Sequence, residues 1–230
     1  NKVKRIVYCS SMARYGHHDQ MPYKETYECR PQDPYGIAKK AGEDVLRNLC
    51  DTHGVEYVIA VPHNIVGPRQ KYDDPFRNVM SIMLNRMLQG KQPIIYGDGE
   101  QQRCFSYIDD CLYCLNALAF QDNVVGEVIN IGPDEEPITI NQLAEACANE
   151  TGLNLDPIHH KDRPKEVKLA VCSSDKARNL LGYKTATNMR QSVTKTAEYI
   201  RTRGTKKFQY HLPLEIINEY TPDTWKKKLI

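Results

Sequence analysis

In the stretch "RPQDPYGIAKKAGEDVL", Tyr35 and Lys39 stand four residues apart. Asp33 and Pro34 mark a helix start just before them, and residues at i and i+4 share one helix face. A phenol titrates near ~10 and is a poor base at neutral pH, whereas an ammonium beside it favours the phenolate. Such a pair can remove and return a hydroxyl proton. A serine hydroxyl arriving from a strand end, Ser11 of "KRIVYCSS", suits orienting the same substrate oxygen. Taken alone, the Tyr-Lys spacing recurs by chance in long helices, and a surface lysine beside a half-buried tyrosine is the plainer alternative.

Those residues need a scaffold. Four short apolar, β-rich runs, residues 4–11, 56–67, 92–99 and 127–132, alternate with helical patterns at 34–53, 76–89, 109–120, 139–151, 173–182 and 187–203. The alternation predicts an α/β fold with a mostly parallel sheet. Thr139 opens one helix, Gly152 closes it, and Gly182 closes another. Parallel strands present ligand sites at their carboxyl ends. That rule selects Ser10 and Ser11 after the first strand, Pro62 to Asn64 in the second and Gly97–Arg103 after the third, three places expected to converge on one crevice. From Gly204 onward the chain is basic, punctuated by Pro213 and Pro222, and holds the only tryptophan, Trp225. This tail is expected to wrap the surface.

At 230 residues, 40% hydrophobic and 26% charged, the chain has an ordinary globular composition with room for one substantial core or two small ones. Its 31 basic and 29 acidic residues nearly balance, which gives no case for a nucleic-acid or membrane partner. No segment approaches the ~18 apolar residues of a membrane span, so a small-molecule ligand is the expectation. Eight cysteines lack paired spacing, and Cys9, Cys50 and Cys147 sit in apolar runs, which suits a reducing, cytoplasmic compartment. Cys111 and Cys114 are expected to pack within a helix. His17, His18, His159 and His160 have no cysteine or carboxylate at ligand spacing, so no metal site is expected. His63, beside Asn64, is read as a packed core histidine.

Strand-SS, "DPYGIAKK", "VPHNIVGPRQ" and "IIYGDGEQQRCFSYIDD", in that order, resemble the extended short-chain dehydrogenase/reductase family, specifically its nucleotide-sugar epimerases of the UDP-glucose 4-epimerase type. The resemblance runs from residue 4 to about residue 203. It implies the C-terminal part of a Rossmann-like parallel sheet plus a smaller α/β substrate-binding domain. Residues 1–67 would be the remaining NAD-binding part, 68–203 mainly the nucleotide-sugar region with 100–132 returning to the Rossmann sheet, and 204–230 the tail.

Carried over by motif, Ser11, Tyr35 and Lys39 take the catalytic roles, and Ser10, Tyr35, Lys39 and Pro62 face the NAD cofactor. Tyr35 would take the proton of the sugar 4-hydroxyl as hydride leaves C4 for NAD, and the hydride would return to the other face of the 4-keto sugar. For the substrate, the resemblance implies Asn64, Asn78, Ile95 and Tyr96 along the nucleotide and sugar, with Arg103 and Arg163 on the diphosphate; a guanidinium offers the forked donors that phosphate oxygens accept. Ala170 falls where some relatives carry a bulky tyrosine, leaving room for an N-acetyl group and making UDP-N-acetylhexosamines additional expected substrates. Dehydratase and decarboxylase relatives place acids after the Ser11 position; here Met12 and Ala13 follow, which argues for epimerisation or simple 4-oxidoreduction.

The family's glycine-rich dinucleotide turn is absent from the sequence, and "GDGEQQR" does not replace it because it lacks the third glycine and opens no apolar helix. Together with an initial Asn already reading into a strand, this predicts part of a longer protein, inactive alone and without tight NAD binding. The resemblance also implies a homodimer through the helix bearing Tyr35 and Lys39, whose Ala38, Ala41, Val45, Leu46 and Leu49 either meet a partner or face the chain's own core. Alternatives to the epimerase are a 4-keto reductase of the same family and a non-catalytic structural or nucleotide-binding subunit.

Overall fold

A computed structural model describes residues 2–76, 78–163 and 167–230. In chain order the principal elements are β1 (Arg5–Cys9), α1 (Pro34–His53), β2 (Glu56–Pro62), α2 (Val79–Met87), β3 (Ile94–Tyr96), α3 (Ile108–Phe120), β4 (Val128–Ile131), α4 (Ile140–Thr151), β5 (Ile158–His160), α5 (Asp175–Leu181), α6 (Met189–Arg203) and α7 (Asp223–Lys226). The chain divides into two units. Unit 1 comprises Asn1–Ile65, Cys104–Pro137 and Ala170–Thr187; unit 2 comprises Val66–Arg103, Ile138–Leu169 and Asn188–Ile230.

Unit 1 is built on a parallel sheet in the order β1-β2-β4. Its register sets Arg5 beside Glu56 and Cys9 beside Ala60 on one side of β2, and Ile59 beside Val128 and Pro62 beside Ile131 on the other. The central strand reads as a continuous apolar run because both its faces are covered: Val58, Ile59, Ala60 and Val61 are fully buried. Successive side chains point to opposite faces. Val58 and Ala60 therefore join Ile129, Ile131, Cys111, Cys114, Leu118, Ala177 and Leu181 under α3 and α5, while Ile59 and Val61 meet Tyr15, Tyr23 and Cys172, with Leu46 of α1 against them. Burial pushes the Cys111 and Cys114 thiols up to about 12, as expected of packing residues.

Helix α1 starts where the sequence signals it. The Asp33 side chain accepts from the Gly36 amide at 2.8 Å, Pro34 occupies the first turn, and Gly54 closes the helix with φ 62°. Its apolar positions divide: Leu46 packs on the core, whereas Ala38, Ala41, Val45 and Leu49 are exposed.

Unit 2 is organised differently. Helices α2, α4 and α6 pack on one another and bury Met80, Met83, Leu84, Leu143, Cys147, Val193, Ala197 and Ile200. Capping boxes at Thr139/Gln142 and Asn188/Gln191 open α4 and α6. The third apolar run forms β3, which pairs in parallel with β5, Ile94 beside Ile158 and Tyr96 beside His160, in a two-stranded sheet separate from that of unit 1. Within β3 itself only Ile95 is buried, which suits a two-stranded ribbon rather than a sheet interior. The tail belongs to unit 2 and is anchored. Asn85, fully buried, donates to the Tyr72 and Lys206 carbonyls and accepts from the Lys206 amide, and Phe76 meets the rings of Tyr210, His211 and Trp225 edge-on. Among the described residues, no helix is long and apolar enough to cross a membrane.

Candidate active site

The carboxyl end of β1 carries Ser10 and Ser11. The Ser10 amide continues the sheet by donating to the Ala60 carbonyl at 2.8 Å. Its hydroxyl turns the other way, donating to Glu43 on α1 at 2.5 Å. Ser11 opens a short 3-10 turn, Met12–Arg14, and its hydroxyl accepts from the Ala13 amide at 3.3 Å. Helix α1 brings Lys39 to the same place: its ammonium donates to the Cys9 carbonyl at 2.8 Å. Lys39 Nζ stands 5.7 Å from the centre of the Tyr35 ring and 5.5 Å from that of Tyr8. Tyr35, one turn earlier, is 57% exposed, so its phenol faces solvent rather than the core. Among the described residues, Ser11 and Tyr35 make no hydrogen bond to each other; what joins them is the Lys39 contact at the strand end.

Pro62 ends β2, a carboxyl-end position like that of Ser10. Asn64 holds φ 44°, an uncommon left-handed conformation for a residue other than glycine. It is held there by its side-chain amide donating to the Cys104 carbonyl at 2.8 Å and by its own carbonyl accepting from the Ser106 amide. His63 is 1% exposed, with Nε2 3.0 Å from the Pro133 carbonyl and Nδ1 without a partner. Burial lowers its pKa and keeps the ring neutral, in line with the core-histidine reading. Ala170 is 7% exposed, a packed position.

In unit 2 the structure brings Tyr96 and Arg163 together. The β3–β5 pairing sets Tyr96 beside His160, and the chain three residues on places the Arg163 guanidinium 4.2 Å from the centre of the Tyr96 ring. The Tyr96 hydroxyl bonds that of Thr224 in the tail. Tyr96, His160 and Arg163 line a cavity of about 520 Å³ to which residues 219–223 of the tail also contribute. Ile95 is 1% exposed, backbone included, a packed position. Arg103, half-buried, donates to its neighbour's carbonyl, that of Gln102, at 2.7 Å. Asn78 precedes α2 with φ 67°, and its side chain does not cap the helix.

Two features escaped sequence reasoning. Glu43, four residues beyond Lys39 and eight beyond Tyr35, lies on their helix face, a spacing that signals it once the face is known. The tail's share of the Tyr96 cavity had no sequence signal, because residues 219–223 carry no motif. Among the described residues, no group of three or more His, Cys, Asp or Glu side chains has the geometry to hold a metal ion.

For NAD, the side chains present fit the nicotinamide-ribose end. The Lys39 ammonium, half-buried at the strand end, spends one of its three donors on Cys9 and leaves the others for a ribose hydroxyl. No residue of this chain is assigned to the adenosine half.

Comparison with known proteins identifies the family. The profile of the NAD dependent epimerase/dehydratase family matches residues 1–132. A putative UDP-glucose 4-epimerase of Methanocaldococcus jannaschii is 32% identical over 205 residues, 88% of this chain and 65% of the relative. A UDP-N-acetylglucosamine 4-epimerase from Methanobrevibacter ruminantium, solved with UDP-N-acetylmuramic acid, superposes with a TM-score of 0.81 at 27% identity, over 87% of this chain and 64% of the other. A UDP-glucuronic acid 4-epimerase from Bacillus cereus, solved with UDP-glucuronic acid and NAD, gives 0.80 at 28%, over 89% and 63%. The chain therefore spans less than two thirds of the length of each of these relatives.

Proposed function

Because the chain belongs to the NAD dependent epimerase/dehydratase family, we propose that it serves NAD-dependent epimerisation at C4 of a UDP-sugar. One observation carries the reading: the Lys39 ammonium fixed on the Cys9 carbonyl, which holds the Tyr35–Lys39 pair at the strand end bearing Ser10 and Ser11. Tyr35 removes the proton of the sugar 4-hydroxyl and returns it after the sugar has turned. Ser11 hydrogen-bonds the same oxygen and keeps it aligned while C4 is a ketone. Lys39, beside the Tyr35 ring, would donate to the nicotinamide ribose. Bound NAD supplies the acceptor for the C4 hydride, which comes back to the opposite face of the ring. Pro62 borders the nicotinamide, and Asn64 meets the sugar.

Nucleotide binding is assigned to unit 2. Arg163 and Arg103 take the diphosphate, the Ile95–Tyr96 segment lies along the base, and Asn78 adds a substrate contact. UDP-glucose and UDP-galactose are the proposed pair, with Ala170 supporting UDP-N-acetylhexosamines as well. Met12 and Ala13, which offer no acid beside Ser11, disfavour dehydration. The exposed apolar stripe Ala38, Ala41, Val45 and Leu49 on α1 supports a homodimer, and eight cysteines free of disulfides support a reducing cytoplasmic setting.

The test is UDP-glucose/UDP-galactose interconversion with added NAD in the longest native form of the chain. Tyr35→Phe should cut turnover by about 100-fold or more while leaving UDP affinity unchanged. Interconversion that survives the substitution would remove Tyr35 from the chemistry. Net release of reduced cofactor would point to the 4-keto reductase instead.

A further inference from the structure

Glu43 takes no part in the proton and hydride steps, yet it is a carboxylate with no exposed surface, one helical turn beyond Lys39. Taking a carboxylate out of water costs several kcal/mol unless it is paired and hydrogen-bonded. Three groups meet it. The Ser10 hydroxyl donates to one oxygen at 2.5 Å. Arg14, itself 4% exposed, comes within 2.9 Å of the other oxygen, and Arg47 lies 3.5 Å from it. The Arg14 contact has the length of an ion pair without hydrogen-bond alignment, so Ser10 supplies the directional bond.

The arrangement is a ladder between helix and strand. Successive turns of α1 reach successive residues at the end of β1: Lys39 holds the Cys9 carbonyl, and Glu43 holds the Ser10 hydroxyl. Glycines on α1 let it come close enough. A Cβ at Gly36 would fall 2.6 Å from the Ala13 carbonyl oxygen, and one at Gly42 would strike the Tyr8 hydroxyl. The next residue after this double tie is Ser11.

We propose that Glu43 is a positioning residue. Through Ser10 it fixes the strand end so that the Ser11 hydroxyl keeps its offset from Tyr35 and Lys39 on the same helix. The proposal rests on the catalytic reading of Ser11, Tyr35 and Lys39. Misplacing a reacting group by an ångström is enough to cost a large factor in rate while leaving substrate affinity alone.

Glu43→Gln should lower kcat about tenfold or more with KM for the UDP-sugar within about twofold. That variant also leaves Arg14 buried without its anion, so Ser10→Ala, which keeps both ion pairs, is the second variant. It should lose kcat to a similar extent, with a smaller fall in Tm than Glu43→Gln gives, since Glu43 loses one hydrogen bond and keeps its ion pairs. In the double variant the loss should be no greater than in Glu43→Gln alone, since both act through one link. Additive losses, or a fall in Tm with kcat intact, would overturn the proposal. Amide hydrogen exchange gives a readout independent of turnover: in Ser10→Ala, the Ser10, Ala13 and Arg14 amides should exchange about tenfold faster, with residues 44–50 of α1 unchanged. Unaltered exchange at those three amides also overturns it. A wild-type protein that turns over no UDP-sugar sinks the epimerase reading, and the exchange measurement then decides the role of Glu43 by itself.

Discussion

Unit 1 and unit 2 put their candidate residues in place by different means. In unit 1 a fully buried central strand fixes a parallel register, and the residues that matter sit at strand ends or on the one long helix tied to them. In unit 2 a core of three helices supports strands of two or three residues, and the Tyr96 cavity is walled by segments more than 100 positions apart in the chain, β3 and residues 219–223. Regular secondary structure therefore positions the first set. Loop packing and the tail position the second. The former is fixed by local hydrogen-bond geometry, and the latter by contacts that exist only once the chain has folded.

That contrast can be tested by removing one support at a time. Ile59→Ala, in the fully buried strand of unit 1, should cost about 2–5 kcal/mol in urea unfolding; a loss under about 1 kcal/mol would mean that the strand is not the packed centre of that unit. Asn85→Ala should cost about 1–3 kcal/mol by leaving the Lys206 amide without its acceptor, and it should expose residues 205–212 to limited proteolysis. Undiminished protection there would show that the tail is held by the Phe76 cluster alone. Helix caps give a matched pair: Asp33→Ala in unit 1 and Thr139→Ala in unit 2 should each cost about 1 kcal/mol. The two losses should match, because each substitution removes one side-chain acceptor from a first-turn amide, and the Thr139 amide keeps its bond to the Gln142 side chain.

The smallest effect concerns Glu25, whose carboxyl is pushed above its usual 4.5 by burial, against the opposing hydrogen bond from the Asn130 amide. With the folded pKa raised, the stability this group contributes is fully present below pH 4.5 and is lost as pH rises through the folded value. Glu25→Gln removes that dependence, so wild type should lose ground to the variant between pH 4 and pH 7 in urea midpoints. A constant difference across that range would show that the carboxyl is not desolvated.

Much of unit 1 was legible in advance. Asp33, Pro34 and Gly54 delimit α1, the apolar run at 56–62 marks a doubly covered strand, and the four-residue spacing of Tyr35 and Lys39 sets both on one helix face. These signals are local, and a chain of a few residues carries all the information that they need. Pairing partners were less legible. The apolar run at 92–99 states that a strand exists and not which strand lies beside it, and only the structure pairs it with His159 and its neighbours in unit 2. Whether Ala38, Ala41, Val45 and Leu49 face core or solvent was open for the same reason.

By itself, then, the sequence determined the kinds of element, their caps and the residue types able to move a proton, since these follow from backbone propensity and spacing along one helix or strand. Only the tertiary structure decided that Lys39 reaches the Cys9 carbonyl, that Glu43 is buried against Ser10, and that Tyr96 meets both the Arg163 guanidinium and the Thr224 hydroxyl. Each of those contacts joins residues 30 or more positions apart, where loop closure and core packing, rather than local preference, set which groups meet.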